Sequence, residues 1–338
     1  MKPSAKLIYG PANSGKTERC INAYLDLLRE RPGPGGLKPG RLNAKALFLV
    51  PTKLKVDEVK ARITASGRIG GIRNPAIFEF YGLAQRVIGE ARQKVCEISP
   101  LAKVLIIQEI VRKRKETGGL QYFSPISEFQ GFYEMIAAFI GELKAAAVTP
   151  EVFAAAVKKR GRKGANEARD AELAAIYADY QDRLRRLELY DREGRLWLAR
   201  DLLREGHEES VPKLDLLLVD GFPHFSPAEL QIVVELANRS QEALITLTFA
   251  KGEDAGRHYL AVERTYQLLR ESFALTEEPI TSGELRRSAG PAWPALRPAG
   301  LPGLSPNSSP QVQFKCMRYK HKWVPFKGGR HGRERGLF

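Results

Sequence analysis

The sequence predicts an α/β fold in which a parallel sheet carries helices on both faces and is interrupted by a helical insertion. Three observations predict it. Short apolar runs alternate with helix-period segments from Lys6 to the helix that opens at Gly82, and again from Leu214 to Phe273. Such alternation builds βαβ units and hence parallel strands. A loop of small residues, Gly10 to Gly15, joins the first strand to the first helix. Residues 100 to 206 read as almost entirely helical and break the alternation.

The elements follow in order. Lys6 to Tyr9 is a short apolar strand, and a helix from Lys16 to Glu30 places Ile21, Tyr24, Leu25 and Leu28 on one face. The segment Arg31 to Gly40, RPGPGGLKPG, stops it and is expected to form a flexible loop. Ala46 to Val50 is a continuous apolar run, as a strand buried on both faces requires. Pro51-Thr52 ends it, and a helix is expected through Ile63. Ala76 to Phe80 reads as a third strand. Within the helical block, Ala171 to Leu189 carries Leu173, Ile176, Tyr177, Tyr180, Leu184 and Leu187 as an apolar stripe. Strand character returns at Leu214 to Val219, followed by a helix from Pro227 to Asn238, a strand from Ala243 to Phe249 and a helix from His258 to Phe273. Residues 288–310 are rich in Pro, Gly and Ser, a linker composition. The expected organisation is a sheet domain from 1–99 and 207–280, a helical insertion at 100–206, and a linker with a disordered basic tail at 281–338.

Composition narrows the function classes. The chain is 338 residues long, 43% hydrophobic and 28% charged, as in soluble globular proteins. It has no apolar run of membrane-spanning length and its start lacks a secretory signal, so a cytoplasmic location is expected, with no membrane partner. Cys20, Cys96 and Cys316 are widely spaced and form no CxxC pair. A zinc site, a disulfide framework, or an iron–sulfur cluster from this chain alone is therefore not expected. The net charge of +15 favours polyanionic partners, although Gln311 to Phe338 alone holds eight Lys/Arg against one Glu. The runs Arg112 to Lys115 and Lys158 to Lys163 read as solvated surface.

The chemistry-bearing motif is Gly10-Pro11-Ala12-Asn13-Ser14-Gly15-Lys16-Thr17, which fits GxxxxGK[ST]. Its glycines let backbone N–H groups curl around phosphate oxygens, and the helix that begins there turns its positive end to the anion. Lys16 would reach the β- and γ-phosphates, and the Thr17 hydroxyl would ligate Mg²⁺. The pattern reads as the phosphate loop of a P-loop NTPase, and ATP and Mg²⁺ are the expected cofactors. Such a loop needs an acidic partner at the end of another buried strand. Leu216 to Val219 followed by Asp220 supplies one, and with the two strands as neighbours Asp220 would lie beside the loop and hold Mg²⁺ through water.

Several segments line up, in order, with one family. The chain resembles the UvrD/Rep-like superfamily-one helicases and most closely the B-type subunits of AddAB-type ATP-dependent helicase/nucleases. GPANSGKT is similar to that family's first motif and Leu47 to Thr52 to its second. Phe78 to Ala84 (FEFYGLA) resembles a TF-x-x-x-A segment, and Tyr190 to Glu193 with Leu196 resembles DF-x-D-L. Asp220-Gly221-Phe222-Pro223-His224-Phe225-Ser226-Pro227 resembles the DGF-x-x-F-[ST]-P of the nuclease-subunit branch. The resemblance covers about residues 5–275. It implies a RecA-like sheet, single-stranded or end DNA as substrate, contacts to that DNA from Thr52, Phe80 and Tyr81, and an A-type motor subunit as heterodimeric partner in an exonuclease complex of double-strand break repair by recombination.

The same resemblance limits the activity. Motors of this kind carry Glu directly after the acidic strand, to orient the attacking water. Here Gly221 stands there, and glycine can neither accept a proton nor orient water. Glu229 and Asp215 are the nearby carboxylates. Nucleotide binding without effective hydrolysis is the expectation. Nine residues before the loop leave no room for an adenine-reading Gln segment, and neither a second motor domain nor a nuclease domain follows. The chain thus reads as an N-terminal fragment, its basic tail fitting an altered or early-ended reading frame. Two other readings are a P-loop small-molecule kinase and an inactive remnant.

Overall fold

A computed structural model describes residues 2–30, 46–68, 75–161, 164–206, 213–249 and 260–280. In chain order the first elements are β1 (Ser4–Gly10), α1 (Lys16–Glu30), β2 (Ala46–Leu49), α2 (Lys53–Ala65), β3 (Ile77–Phe78), α3 (Phe80–Glu90) and β4 (Cys96–Glu97). The helical block follows as α4 (Pro100–Glu116), a 3-10 turn at Ser124–Ile126, α5 (Gln130–Ala145), α6 (Pro150–Arg160) and α7 (Ala165–Arg186). The chain returns through β5 (Leu189–Tyr190), α8 (Arg192–Arg204), β6 (Leu214–Val219), α9 (Pro227–Ala237), β7 (Ser240–Thr248), α10 (Leu260–Ser272) and β8 (Ala274–Pro279).

Six strands form one parallel sheet in the order β3-β2-β6-β7-β1-β8. The predicted α/β class, with a parallel sheet between helices, is what the structure has. Side-chain alternation divides the sheet residues between two cores. On one face, Ile8, Ala46, Phe48, Leu216, Leu218 and Leu244 pack under α1 and α2, through Ile21, Tyr24, Leu25, Val56, Val59 and Ile63. On the other, Leu7, Leu47, Leu49, Leu217, Val219, Ile245 and Leu247 pack under α3, α8, α9 and α10. Both faces are covered, which is why these strands read as unbroken apolar runs.

A third core lies within the helical block. Ile107 and Val111 of α4, Phe132, Tyr133, Ile136 and Ile140 of α5, and Ile176, Tyr177, Tyr180 and Leu184 of α7 form it. The helix α8, which the sequence groups with the block, contributes Leu196, Ala199, Leu202 and Leu203 to the sheet-side core instead. The block's entry and exit lie side by side, because β4 and β5 pair in parallel and Ile98 N donates to Tyr190 O at 2.9 Å. A buried polar junction pins the two parts together there. Asp191 caps α8 by accepting from Gly194 N at 2.9 Å, and it also receives Lys144 Nζ at 2.5 Å and the Tyr180 hydroxyl at 3.1 Å. Lys103 Nζ stands 3.6 Å from the same carboxylate.

Boundaries differ from the expectations in instructive places. The strand expected over 76–80 shrinks to β3, because the Glu79 carboxylate accepts from Tyr81 N and Gly82 N, both at 2.6 Å, and opens α3 at Phe80. The strand β8 is absent from the expected elements. It pairs only with β1, at the sheet edge, and its polar residues Thr276, Glu277 and Glu278 resemble a loop in sequence. The expectations for 31–40 and 281–338, and the expected helix start at His258, lie outside the described residues. Among the described residues no helix is long and apolar enough to cross a membrane.

Candidate functional site

The loop leaving β1 turns tightly for reasons legible in its residues. A Cβ at Gly10 would stand 2.3 Å from the Ile280 carbonyl oxygen, so only glycine fits there. Asn13 and Gly15 take left-handed φ of +59° and +87°, conformations that asparagine and glycine tolerate best. The turn ends where Arg19 N donates to Gly15 O at 2.9 Å and α1 begins. Lys16 folds back over the loop, its Nζ donating to Gly10 O (3.0 Å), Pro11 O (2.6 Å) and Ser14 Oγ (3.1 Å). Burial lowers its ammonium from the ordinary lysine value, while the Asp220 charge acts in the opposite sense.

The acidic partner reaches this loop by a route the local sequence does not reveal. The condition that the two strands be neighbours is not met: β7 lies between β1 and β6. The residues nonetheless meet. Thr17 Oγ1 donates to Asp220 Oδ2 at 2.7 Å, and Asp220 is 1% exposed. The contact forms because both groups project from the carboxyl edge of the sheet, Thr17 from the first turn of α1 and Asp220 from the end of β6. Ligands of open parallel sheets collect on this edge. A hydroxyl and a carboxylate are hard oxygen donors of the kind Mg²⁺ accepts. The loop, Lys16, Thr17 and Asp220 are thus groups that could hold a Mg²⁺–nucleotide.

After Asp220 the chain is built around Gly221, which has φ +80°. Its N–H donates to Thr246 Oγ1 at 3.2 Å. The rings of Phe222 and Phe225 then stack at 4.9 Å and dive into the core, with Phe80 edge-on to both at 5.2 and 6.4 Å. Ser226 and Glu229 close a capping box at the start of α9, Glu229 N donating to Ser226 Oγ and Ser226 N to the Glu229 carboxylate. The DGF-x-x-F-S-P segment is therefore a turn, two anchors and a cap. His224 between the anchors is exposed. Neither nearby carboxylate replaces the missing glutamate. Glu229 is engaged with Ser226. Asp215, which accepts from Gln241 Nε2 at 2.9 Å, sits at the opposite end of β6, about 16 Å from Asp220 along an extended strand.

The three residues expected to touch DNA lie in different settings. Phe80 is 3% exposed and enclosed by Phe222 and Phe225, so it has no face to offer a base. Tyr81 is half-buried, and the Arg192 guanidinium lies 3.8 Å from its ring centroid, covering a face. Thr52 is exposed at the carboxyl end of β2, where its hydroxyl caps α2 by accepting from Lys55 N at 3.2 Å. In the basic run of α4, Arg114 pairs with Asp179 at 2.6 Å and Lys115 with Glu128 at 2.7 Å.

Sequence reasoning missed Thr246. It is 2% exposed and donates to Asp220 Oδ1 at 2.5 Å. A β-branched residue in an apolar strand carries no sign of such a role. The Cys20 thiol of α1 is buried, and burial pushes its pKa well up. Among the described residues no group of three or more His, Cys, Asp or Glu is placed to hold a metal ion.

Comparison with known proteins agrees with the motif segments. Residues 7–289 match the family described as ADDB, N-terminal. Three curated relatives are named as the B-type subunit of an ATP-dependent helicase/deoxyribonuclease. Those of Bacillus cereus (strain AH187) and Bacillus anthracis are each 29% identical over 254 residues, and that of Bacillus mycoides (strain KBAB4) is 28% identical. Each match covers 72% of this chain and 20% of the relative, so the chain spans about one fifth of these proteins' length.

Proposed function

The chain belongs to the ADDB N-terminal family, and on that premise we propose that it is the nucleotide-binding part of a B-type subunit in a helicase/nuclease complex that processes DNA ends for recombinational repair. The observation that carries the reading is the 2.7 Å hydrogen bond from Thr17 to Asp220, which joins the phosphate loop to the acidic strand across an intervening strand. The amides of residues 10–17 would receive the phosphates, and Lys16 would exchange its loop carbonyls for phosphate oxygens. Thr17 and Asp220 would hold Mg²⁺, which neutralises phosphate charge when bound.

In this reading the nucleotide is held and not turned over. Gly221 supplies no carboxylate for the attacking water, Glu229 is engaged in its capping box, and Asp215 is at the wrong end of its strand. Bound ATP would act as a brace between loop and sheet. Single-stranded DNA would cross the carboxyl edge near Thr52, and a separate A-type motor subunit would supply translocation. The working compartment would be the cytoplasm.

The test measures binding of labelled ATP and of single-stranded DNA, over a range of salt, to the wild type and Lys16→Ala. Lys16→Ala loses ATP binding and keeps salt-dependent DNA binding. Equal ATP affinity in both proteins would refute the loop assignment. Phosphoryl transfer to a small metabolite would select a kinase instead.

A further inference from the structure

We propose that Thr246 is the positioning residue that holds the Asp220 carboxylate for Mg²⁺; the proposal rests on the nucleotide reading above. The strand register places it there: Val219 pairs with Ile245, which sets Asp220 level with Thr246 on the neighbouring strand. The strand that lies between β1 and β6 thus contributes a partner for the acidic carboxylate. Thr246 shares its face of β7 with Leu244, in the apolar layer under α1, and is itself 2% exposed. A hydroxyl in that layer is tolerated only with its hydrogen bonds made.

A threonine hydroxyl has one proton to give and lone pairs to receive. Here the proton goes to Asp220 Oδ1 at 2.5 Å, and a lone pair receives Gly221 N at 3.2 Å. Asp220 is thereby held on three sides. Its N–H is fixed by Leu49 O at 3.0 Å, its Oδ1 by Thr246, and its Oδ2 faces Thr17 at 2.7 Å. The bond from Thr246 fixes the rotation of the carboxylate and so turns Oδ2 toward Thr17, the side on which the metal would sit. The same hydroxyl steadies the left-handed Gly221 turn, so one side chain sets both the carboxylate and the bend that follows it.

The experiment measures the Kd of a fluorescent ATP analogue for the full chain, in Mg²⁺ and in EDTA. The ratio of the two is the Mg²⁺ advantage. Thr246→Val keeps the shape and removes the hydroxyl; it lowers the Mg²⁺ advantage about 10-fold, as loss of an outer-shell partner does, and leaves the EDTA affinity unchanged. Thr246→Ser restores the wild-type ratio. Thr246→Cys, a weaker donor, gives an intermediate ratio and stands in if the valine variant melts below assay temperature. A wild-type ratio in Thr246→Val or Thr246→Cys would overturn the proposal. So would an equal loss in both media, which a purely structural role predicts, or a serine variant that behaves like valine. Lys16→Ala loses affinity in both media, which separates the two claims. A wild type that binds the analogue in neither medium would defeat the nucleotide reading and this proposal with it.

Discussion

Restoring the absent glutamate does not restore a motor, because the backbone at position 221 is wrong for it. Gly221 has φ +80°. A Cβ built there meets nothing closer than Pro51 Cδ at 3.8 Å, so the space is open and the penalty lies in the backbone alone. A non-glycine residue in a left-handed conformation costs about 1–2 kcal/mol. Gly221→Glu and Gly221→Ala are therefore destabilised by the same about 1–2 kcal/mol, and Gly221→Asn by less. Urea unfolding measures it, with midpoints that fall while the slope m stays constant. Phosphate release in MgATP, followed in parallel, stays at the wild-type level in Gly221→Glu. The reasoning is refuted if that variant matches the wild type in stability and gains Mg²⁺-dependent hydrolysis, since the left-handed turn would then be no obstacle.

Two further outcomes follow from the buried groups. Asp191→Asn leaves Lys144, which is fully buried, without its counter-charge, and urea midpoints at neutral pH fall by the equivalent of about 3–5 kcal/mol. Burial pushes the Asp191 carboxyl up, but the charge and hydrogen bond of Lys144, with Lys103 behind them, outweigh it and hold it below the usual aspartate value. Its contribution is thus fully present above the unfolded value of about 3.9 and is lost as pH falls through the lower folded value. Midpoints read from pH 7 to pH 3 show this acid loss in the wild type and not in Asp191→Asn; parallel curves would contradict it. Phe80→Leu, a change inside the Phe222–Phe225 cluster, lowers stability by about 1 kcal/mol and leaves single-stranded DNA affinity unchanged, measured on folded protein; a selective loss of DNA binding would return Phe80 to the DNA path.

Legibility followed the physics of each element. Strands buried on both faces, such as Leu214–Val219, and the amphipathic α1 declare themselves by composition and period. The loop does so by spacing, since Gly10, Asn13 and Gly15 meet backbone demands few residues can. Strand order is different. Nothing in Ser240–Thr248 says that it lies between β1 and β6, because order is set by tertiary packing and not by local pattern. The edge strand β8 hid for the opposite reason: with one neighbour, Glu277 and Glu278 need not be apolar, and Glu278 pairs with Lys6 at 2.5 Å. The setting of Phe80 was not legible because an aromatic near the carboxyl edge can point up to a ligand or down to the core. Only the packing of Phe222 and Phe225 decides which.

The central claim is that residues 10–17 and Asp220 form one site for a Mg²⁺–nucleotide. A crystal structure of the chain grown with Mg²⁺ and a non-hydrolysable ATP analogue addresses it directly. The expected result is phosphates against the amides of Gly10 to Thr17, with the metal held by the Thr17 hydroxyl and, through water, by Asp220. Nucleotide bound elsewhere, or a metal served by neither residue, would contradict it.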